Sequence, residues 1–162
     1  MSKIYFAKKK QEAIIPSKRD EDAGYDFYAA GRDDEWIIEP GEIKIIPTGI
    51  ATAFDSDKVL IIKERSSTGK IGLAVRMGVV DSGFRGEIGI GLNNTSDKVI
   101  IITYRVDQIR EHKDEIYYPI TKAIAQGVLL TLPKVEVTEV SYEELLEFKS
   151  ERMLTKLGES GK

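Results

Sequence analysis

The sequence predicts an all-β fold with one short helix, on three observations. Short apolar runs rich in isoleucine and valine recur along most of its 162 residues, polar turns separate them, and helical signals gather at one place near the C-terminal end. Such spacing fits a sandwich, a jelly roll or a barrel. The run Ile43-Lys44-Ile45-Ile46 breaks at Pro47 and resumes over 49–54. After the polar turn Asp55-Ser56-Asp57-Lys58 comes Val59-Leu60-Ile61-Ile62-Lys63. Further strand-like runs cover 87–92, 99–104, 124–132 and 135–140, with turn signals such as Glu39-Pro40-Gly41-Glu42 and Asn93-Asn94-Thr95-Ser96-Asp97 between runs. Ser141-Tyr142-Glu143-Glu144 has the form of a capping box, and Leu145, Leu146 and Phe148 give the turn that follows an apolar side. We therefore expect one β domain over 1–149 and a mobile, charged and glycine-containing tail over 150–162.

Bulk properties narrow the function classes. With 41% hydrophobic and 31% charged residues the chain reads as an ordinary folded domain, and no apolar run approaches the ~18 residues of a membrane span. The basic start, Lys8-Lys9-Lys10, lacks the apolar core of a signal peptide, so the expected compartment is the cytoplasm. Cysteine is absent, which excludes thiolate nucleophiles and Cys-ligated zinc. The single histidine, His112, stands in a charge run, so histidine triads and multi-histidine metal sites within one chain are excluded too. A net charge of −3 argues against a surface that neutralises many phosphates of a nucleic acid.

Three glycine-bearing polar turns are placed where chemistry can sit. Asp22-Ala23-Gly24-Tyr25-Asp26-Phe27 carries two carboxylates four residues apart around a glycine; its plain reading is a strand start with a capping aspartate. Glu64-Arg65-Ser66-Ser67-Thr68-Gly69-Lys70 offers a guanidinium, three hydroxyls and an ammonium, the donors a polyphosphate needs; its plain reading is a solvated loop. It is no P-loop, because Glu64 stands where the first glycine belongs and Ile71 where the final hydroxyl belongs. Gly78-Val79-Val80-Asp81-Ser82-Gly83-Phe84-Arg85-Gly86-Glu87 holds a carboxylate and an aromatic ring between two apolar runs, at the expected mouth of a hairpin.

In this order and spacing the three segments resemble motifs one to three of the trimeric dUTPase family. Ile124-Ala125-Gln126 is similar to the core of the fourth motif, and Arg152 to Gly161 is alignable with a divergent fifth. The resemblance spans essentially the whole chain and includes phage-type members with an extended segment between motifs three and four. It implies a jelly-roll-like β-barrel, a homotrimer, and Mg²⁺-dependent hydrolysis of dUTP to dUMP and pyrophosphate. By the same resemblance Asp81 would deprotonate the water that attacks the α-phosphorus, and Phe84 would stack on the deoxyribose. Gly78 and Val80 would lie along the nucleoside, with uracil read by backbone groups. Arg65, Ser66, Ser67 and Gln126 would hold phosphate, and Asp26 would reach hydrated Mg²⁺ through water. Arg152, Leu157 and Ser160 would close over the substrate.

Two departures from the family pattern stand out. Thr121-Lys122-Ala123 replaces the Gly-x-Arg that usually precedes Ile-Ala-Gln, and Leu157 replaces the aromatic that covers uracil. The segment 97–118 is long, charged and ends near Tyr117-Tyr118; it reads as a solvated hairpin, or as a surface for a protein partner. Two other functions stay open. One is a dCTP deaminase-related enzyme, although the strand that would carry its catalytic glutamate reads Ile90-Gly91-Leu92-Asn93. The other is a nucleotide-responsive regulator that binds its partner through 97–118.

Overall fold

A computed structural model describes residues 3–31, 35–105 and 113–150, which form twelve strands and two short helices. In chain order these are β1 (Ile4–Lys8), β2 (Tyr25–Phe27), β3 (Glu35–Ile38), β4 (Ile43–Pro47), β5 (Ile50–Phe54), β6 (Lys58–Lys63), α1 (Ser66–Lys70), β7 (Leu73–Arg76), β8 (Val79–Asp81), β9 (Gly89–Asn94), β10 (Val99–Thr103), β11 (Glu115–Pro119), β12 (Ala125–Thr131) and α2 (Tyr142–Glu147). They pair into four sheets, ordered β1-β5, β11-β10-β3, β2-β12-β6-β8 and β4-β9-β7. The expected all-β class is borne out. No pairing among the described residues closes the strands into one barrel.

Side-chain alternation explains the layers. In β5, Ile50, Thr52 and Phe54 turn inward while the alanines between them stay half-buried, the period-two signature of a strand with one core face. β6 lies between two neighbours and is apolar almost throughout, so Leu60 and Ile62 meet Phe27, Ile124 and Ala125 in one core cluster. Phe6 of β1 packs edge-on against Tyr25 and Phe27 at 5.6 and 6.0 Å between ring centres. These rings lie on one face of β2, so the residue between them, Asp26, faces the other way. Asn94 is fully buried, yet its amide donates to the carbonyls of Ile38 and Lys98 while its Oδ1 accepts from Ser96, which fixes the expected turn after β9.

Four expectations need correction. Residues 135–140 form no strand; Val135 and Val137 are 76% and 91% exposed, because after β12 the chain meets no sheet edge to pair with. A second helix, α1, stands where a loop was expected. Its start is held by Thr68, whose hydroxyl accepts the Arg65 amide at 3.0 Å and donates to the Arg65 carbonyl. The segment 97–118 is no hairpin, for β10 and β11 run parallel, Val99 opposite Glu115. Parallel neighbours cannot be joined by a tight turn. Finally, the segment from Gly78 to Glu87 is no tight hairpin turn: the flanking β7 and β9 do pair antiparallel, but between them β8, which ends in Asp81, leaves to join β6 in a different sheet. The helix expected at Ser141 is present as α2, with both hydrogen bonds of its capping box. Among the described residues, no helix is long and apolar enough to cross a membrane.

Candidate functional site

The sequence-predicted residues gather in two places. The first is built on β2, β12 and the start of α1. Asp26 pairs across the ladder with Gln126, which in turn faces Lys63. The Gln126 amide donates to the Glu64 carbonyl at 2.9 Å, so it braces the backbone one residue before Arg65. Arg65 is the N-cap of α1, extended in backbone, and its Nε meets Asp26 Oδ1 at 2.9 Å with both side chains about one-third exposed. Ser66 and Ser67 follow on the exposed first turn, Ser67 lying 3.5 Å from the Tyr118 hydroxyl. Gly24 makes this convergence possible, for a Cβ there would sit 2.7 Å from Gln126 Oε1. The first site thus presents a guanidinium, two hydroxyls, a carboxamide and a carboxylate together, a set suited to phosphate and to a hydrated cation.

Asp22, the other carboxylate of the first turn, does not join this group. It takes a two-point contact from the Arg19 guanidinium at 2.8 and 3.0 Å, and that hydrogen bond holds its carboxyl below the usual carboxylate range. Glu64 is likewise held low, first by its own backbone amide.

The second place is a cleft of about 320 Å³ lined by Met77, Gly78, Val79, Val80, Phe84, Ile88 and Gly89. Its volume lies at the small end of ligand pockets. Phe84 is 45% exposed along one wall and lies close over Gly86, where an added Cβ would come within 2.5 Å of the ring. Asp81 follows Val80 at the end of β8, exposed, with its carbonyl accepting the Phe84 amide at 3.1 Å in the turn that carries the ring. Met77 adopts a left-handed backbone, φ 58°, where the chain leaves β7 for β8. Gly78 is required at the next position: its carbonyl accepts the Ile62 amide at 2.7 Å, and a Cβ would stand 2.5 Å from the Ile62 carbonyl oxygen. Gly78→Ala should therefore force β8 away from β6, lowering stability by about 1–3 kcal/mol and weakening ligand binding in the cleft. A thermal melt beside a nucleotide titration checks both, and an unchanged melt would show that the strand adapts freely.

Sequence reasoning anticipated Gly78, Val80 and Phe84 but missed Ile88 and Gly89, whose residue types carry no signal of a cleft. It also missed Thr68, since one hydroxyl among several does not announce that it shapes a helix start. Arg152, Leu157, Ser160 and His112 lie outside the described residues. The tyrosine pair gives the partner surface no support: Tyr118 is buried with its hydroxyl on the Ala123 carbonyl, and Tyr117 donates to Glu115. Gly91, where a deaminase would need its acid, is buried with space for a Cβ bounded at 3.0 Å by the Arg76 carbonyl oxygen.

The two places are well separated within one chain. Asp81 stands opposite Val59 on β6, whereas Gln126 and Asp26 stand level with Lys63, and β2 and β8 are the outer strands of their sheet. At about 4.8 Å between strands and about 3.3 Å per residue, Asp26 lies roughly 19 Å from Asp81 along the sheet and Gln126 roughly 16 Å.

Comparison with known proteins adds to this geometry. The dUTPase family model matches residues 10–109. A deoxyuridine 5′-triphosphate nucleotidohydrolase of Nautilia profundicola is 33% identical over 164 aligned residues, covering 99% of both chains. The Pol polyprotein of caprine arthritis encephalitis virus is 34% identical over 102 residues, which make up 63% of this chain and 9% of that polyprotein. Among solved structures, a variant dUTPase of Staphylococcus bacteriophage 80alpha with dUpNHpp superposes with a TM-score of 0.76 at 23% identity, covering 99% of each chain. That likeness carries the jelly-roll fold.

Proposed function

This chain belongs to the dUTPase family, and from that premise we propose that it hydrolyses dUTP to dUMP and pyrophosphate. The observation that carries the reading is the cleft with Phe84 on its wall and the Asp81 carboxylate one residue beyond Val80. A deoxyribose against the Phe84 ring leaves the 5′ side of the sugar directed to Asp81. The carboxylate there orients a water and takes its proton as the water attacks the α-phosphorus in line, and pyrophosphate leaves. A base must stand within hydrogen-bond reach of its water, and an exposed strand end with no competing ion pair among the described residues suits that task.

Arg65, Ser66, Ser67 and Gln126 hold the phosphate chain and spread its charge, so catalysis rests on positioning and electrostatic stabilisation without a covalent intermediate. Among the described residues no three acidic or histidine side chains converge into a metal cage. The lone Asp26 carboxylate, beside phosphate-binding donors, fits a Mg²⁺ that keeps its waters and takes its direct ligands from substrate. When bound, the cation neutralises phosphate charge. Asp26 would touch its waters and also hold Arg65 in place.

A homotrimer belongs to the same proposal. One phosphate chain has to meet both Asp81 and the Arg65–Gln126 group, yet the two are roughly 16–19 Å apart by the sheet geometry, so a second copy supplies the missing half. Further support comes from the outward-facing Ile43 and Ile45 of β4 and from the arm after β12, where Val135, Val137 and Phe148 are exposed. The Arg152, Leu157 and Ser160 tail would close over the assembled site and exclude water.

Incubation with Mg²⁺ and either dUTP or dCTP tests the reading. Pyrophosphate and dUMP from dUTP are the expected products. Ammonia from dCTP would replace it with a deaminase, and tight nucleotide binding without turnover would replace it with a regulator.

A further inference from the structure

Arg85 is exposed, yet one of its nitrogens gathers three backbone carbonyls. Its Nη1 donates to Ser82 at 2.5 Å, to Phe84 at 2.9 Å and to Thr52 at 3.4 Å. The first two oxygens belong to the loop that carries Asp81 and Phe84; the third belongs to β5. One edge of β5 is paired with β1. On the other edge the Ile50 carbonyl accepts the Ile88 amide at 2.8 Å, and Thr52, two residues on, presents its carbonyl to the same side. Arg85 donates there with its side chain, where a continuing strand would have used an amide. The far end of the loop is fastened as well, since Glu87 Oε1 accepts the Gly49 amide at 2.8 Å and Lys10 Nζ at 3.3 Å.

We infer that Arg85 is a positioning residue for the reaction: by tying the Ser82 and Phe84 carbonyls to β5 it sets where the Asp81 carboxylate and the Phe84 ring stand relative to the nucleotide. This rests on the roles of Asp81 and Phe84 given above. Arg85 touches neither substrate nor water in this account. Charge and reach specify the conservative replacement: a lysine keeps a long cationic side chain whose N–H groups can donate to the same carbonyls, whereas a glutamine is shorter and neutral.

The test compares Arg85→Gln and Arg85→Lys with the native protein in dUTP turnover, thermal midpoint and backbone hydrogen exchange over 81–88. Misplacement of about 1 Å at a reacting group costs on the order of 10²-fold, so Arg85→Gln is expected to lower kcat by ~10²-fold with KM changed by less. Its thermal midpoint should stay near native, the Phe84 amide should exchange faster, and Arg85→Lys should recover most of kcat. A glutamine variant with native kcat and native exchange overturns the inference. So does an equal fall for both variants alongside an equal fall in thermal midpoint, which marks a structural role only. If the native protein releases no pyrophosphate from dUTP, the proposed function fails instead, and exchange at the Phe84 amide still reports whether Arg85 fastens the loop.

Discussion

Asp81→Asn is expected to cut dUTP turnover by ~10²–10⁴-fold, the usual worth of a positioned general base, while nucleotide binding stays close to native. The amide matches the carboxylate in size and can still orient a water, but it cannot take the water's proton. The site favours a clean comparison: Asp81 ends a three-residue strand, is exposed, and makes no ion pair with another described residue, so the substitution removes charge without opening the core. Pyrophosphate release measures the first quantity and calorimetric titration with a non-hydrolysable dUTP analogue the second. Native turnover in the variant would remove Asp81 from the chemistry.

Mixing two inactive variants should restore activity that neither has alone. Asp81→Asn spoils the half-site beside the cleft, and Arg65→Ala spoils the half-site on α1, also releasing Asp26 from its 2.9 Å ion pair. If each site draws these halves from different copies of the chain, equal amounts unfolded and refolded together place an intact Asp81 beside an intact Arg65 in about one site in four. Turnover should then rise from near background to about a quarter of native, by the same statistics of symmetric assembly. A mixture as inactive as its components would show that both halves come from one chain, and a solution mass of a single chain would agree.

The strands that could be read from sequence were those with dense apolar runs, β4, β5, β6, β9, β10 and β12, because alternation or continuous burial shows directly in residue type. The run 135–140 shows the limit of that signal. Val135 and Val137 alternate with Glu136 and Thr138 like a strand, yet β structure needs a neighbour, and a single chain offers none there. β2 was read only as a strand start and β7 only as an apolar run before Gly78, while β1, β3, β8 and β11 were not read as separate strands: they are short, and lysine, tryptophan, aspartate or proline interrupts their pattern. Of the candidate site, glycines next to charged or aromatic residues were informative, since Gly24 and Gly78 stand where any Cβ would collide. What the sequence could not convey was distance. Asp26 and Asp81 both read as site carboxylates, and nothing in their spacing reveals that they occupy opposite outer strands.

The cleft beside Phe84 lies at a joint. Its walls come from β8, which belongs to the four-stranded sheet, from Gly89 of β9 in a three-stranded sheet, and from the Met77-Gly78 link that crosses between them. No single element sets its width; the angle at which two layers meet does. A base wedged there works as a rivet between plates, so exchanging inter-layer residues such as Val80 or Ile88 for bulkier or smaller ones would be felt as a change in grip on the nucleotide before it was felt as a loss of fold.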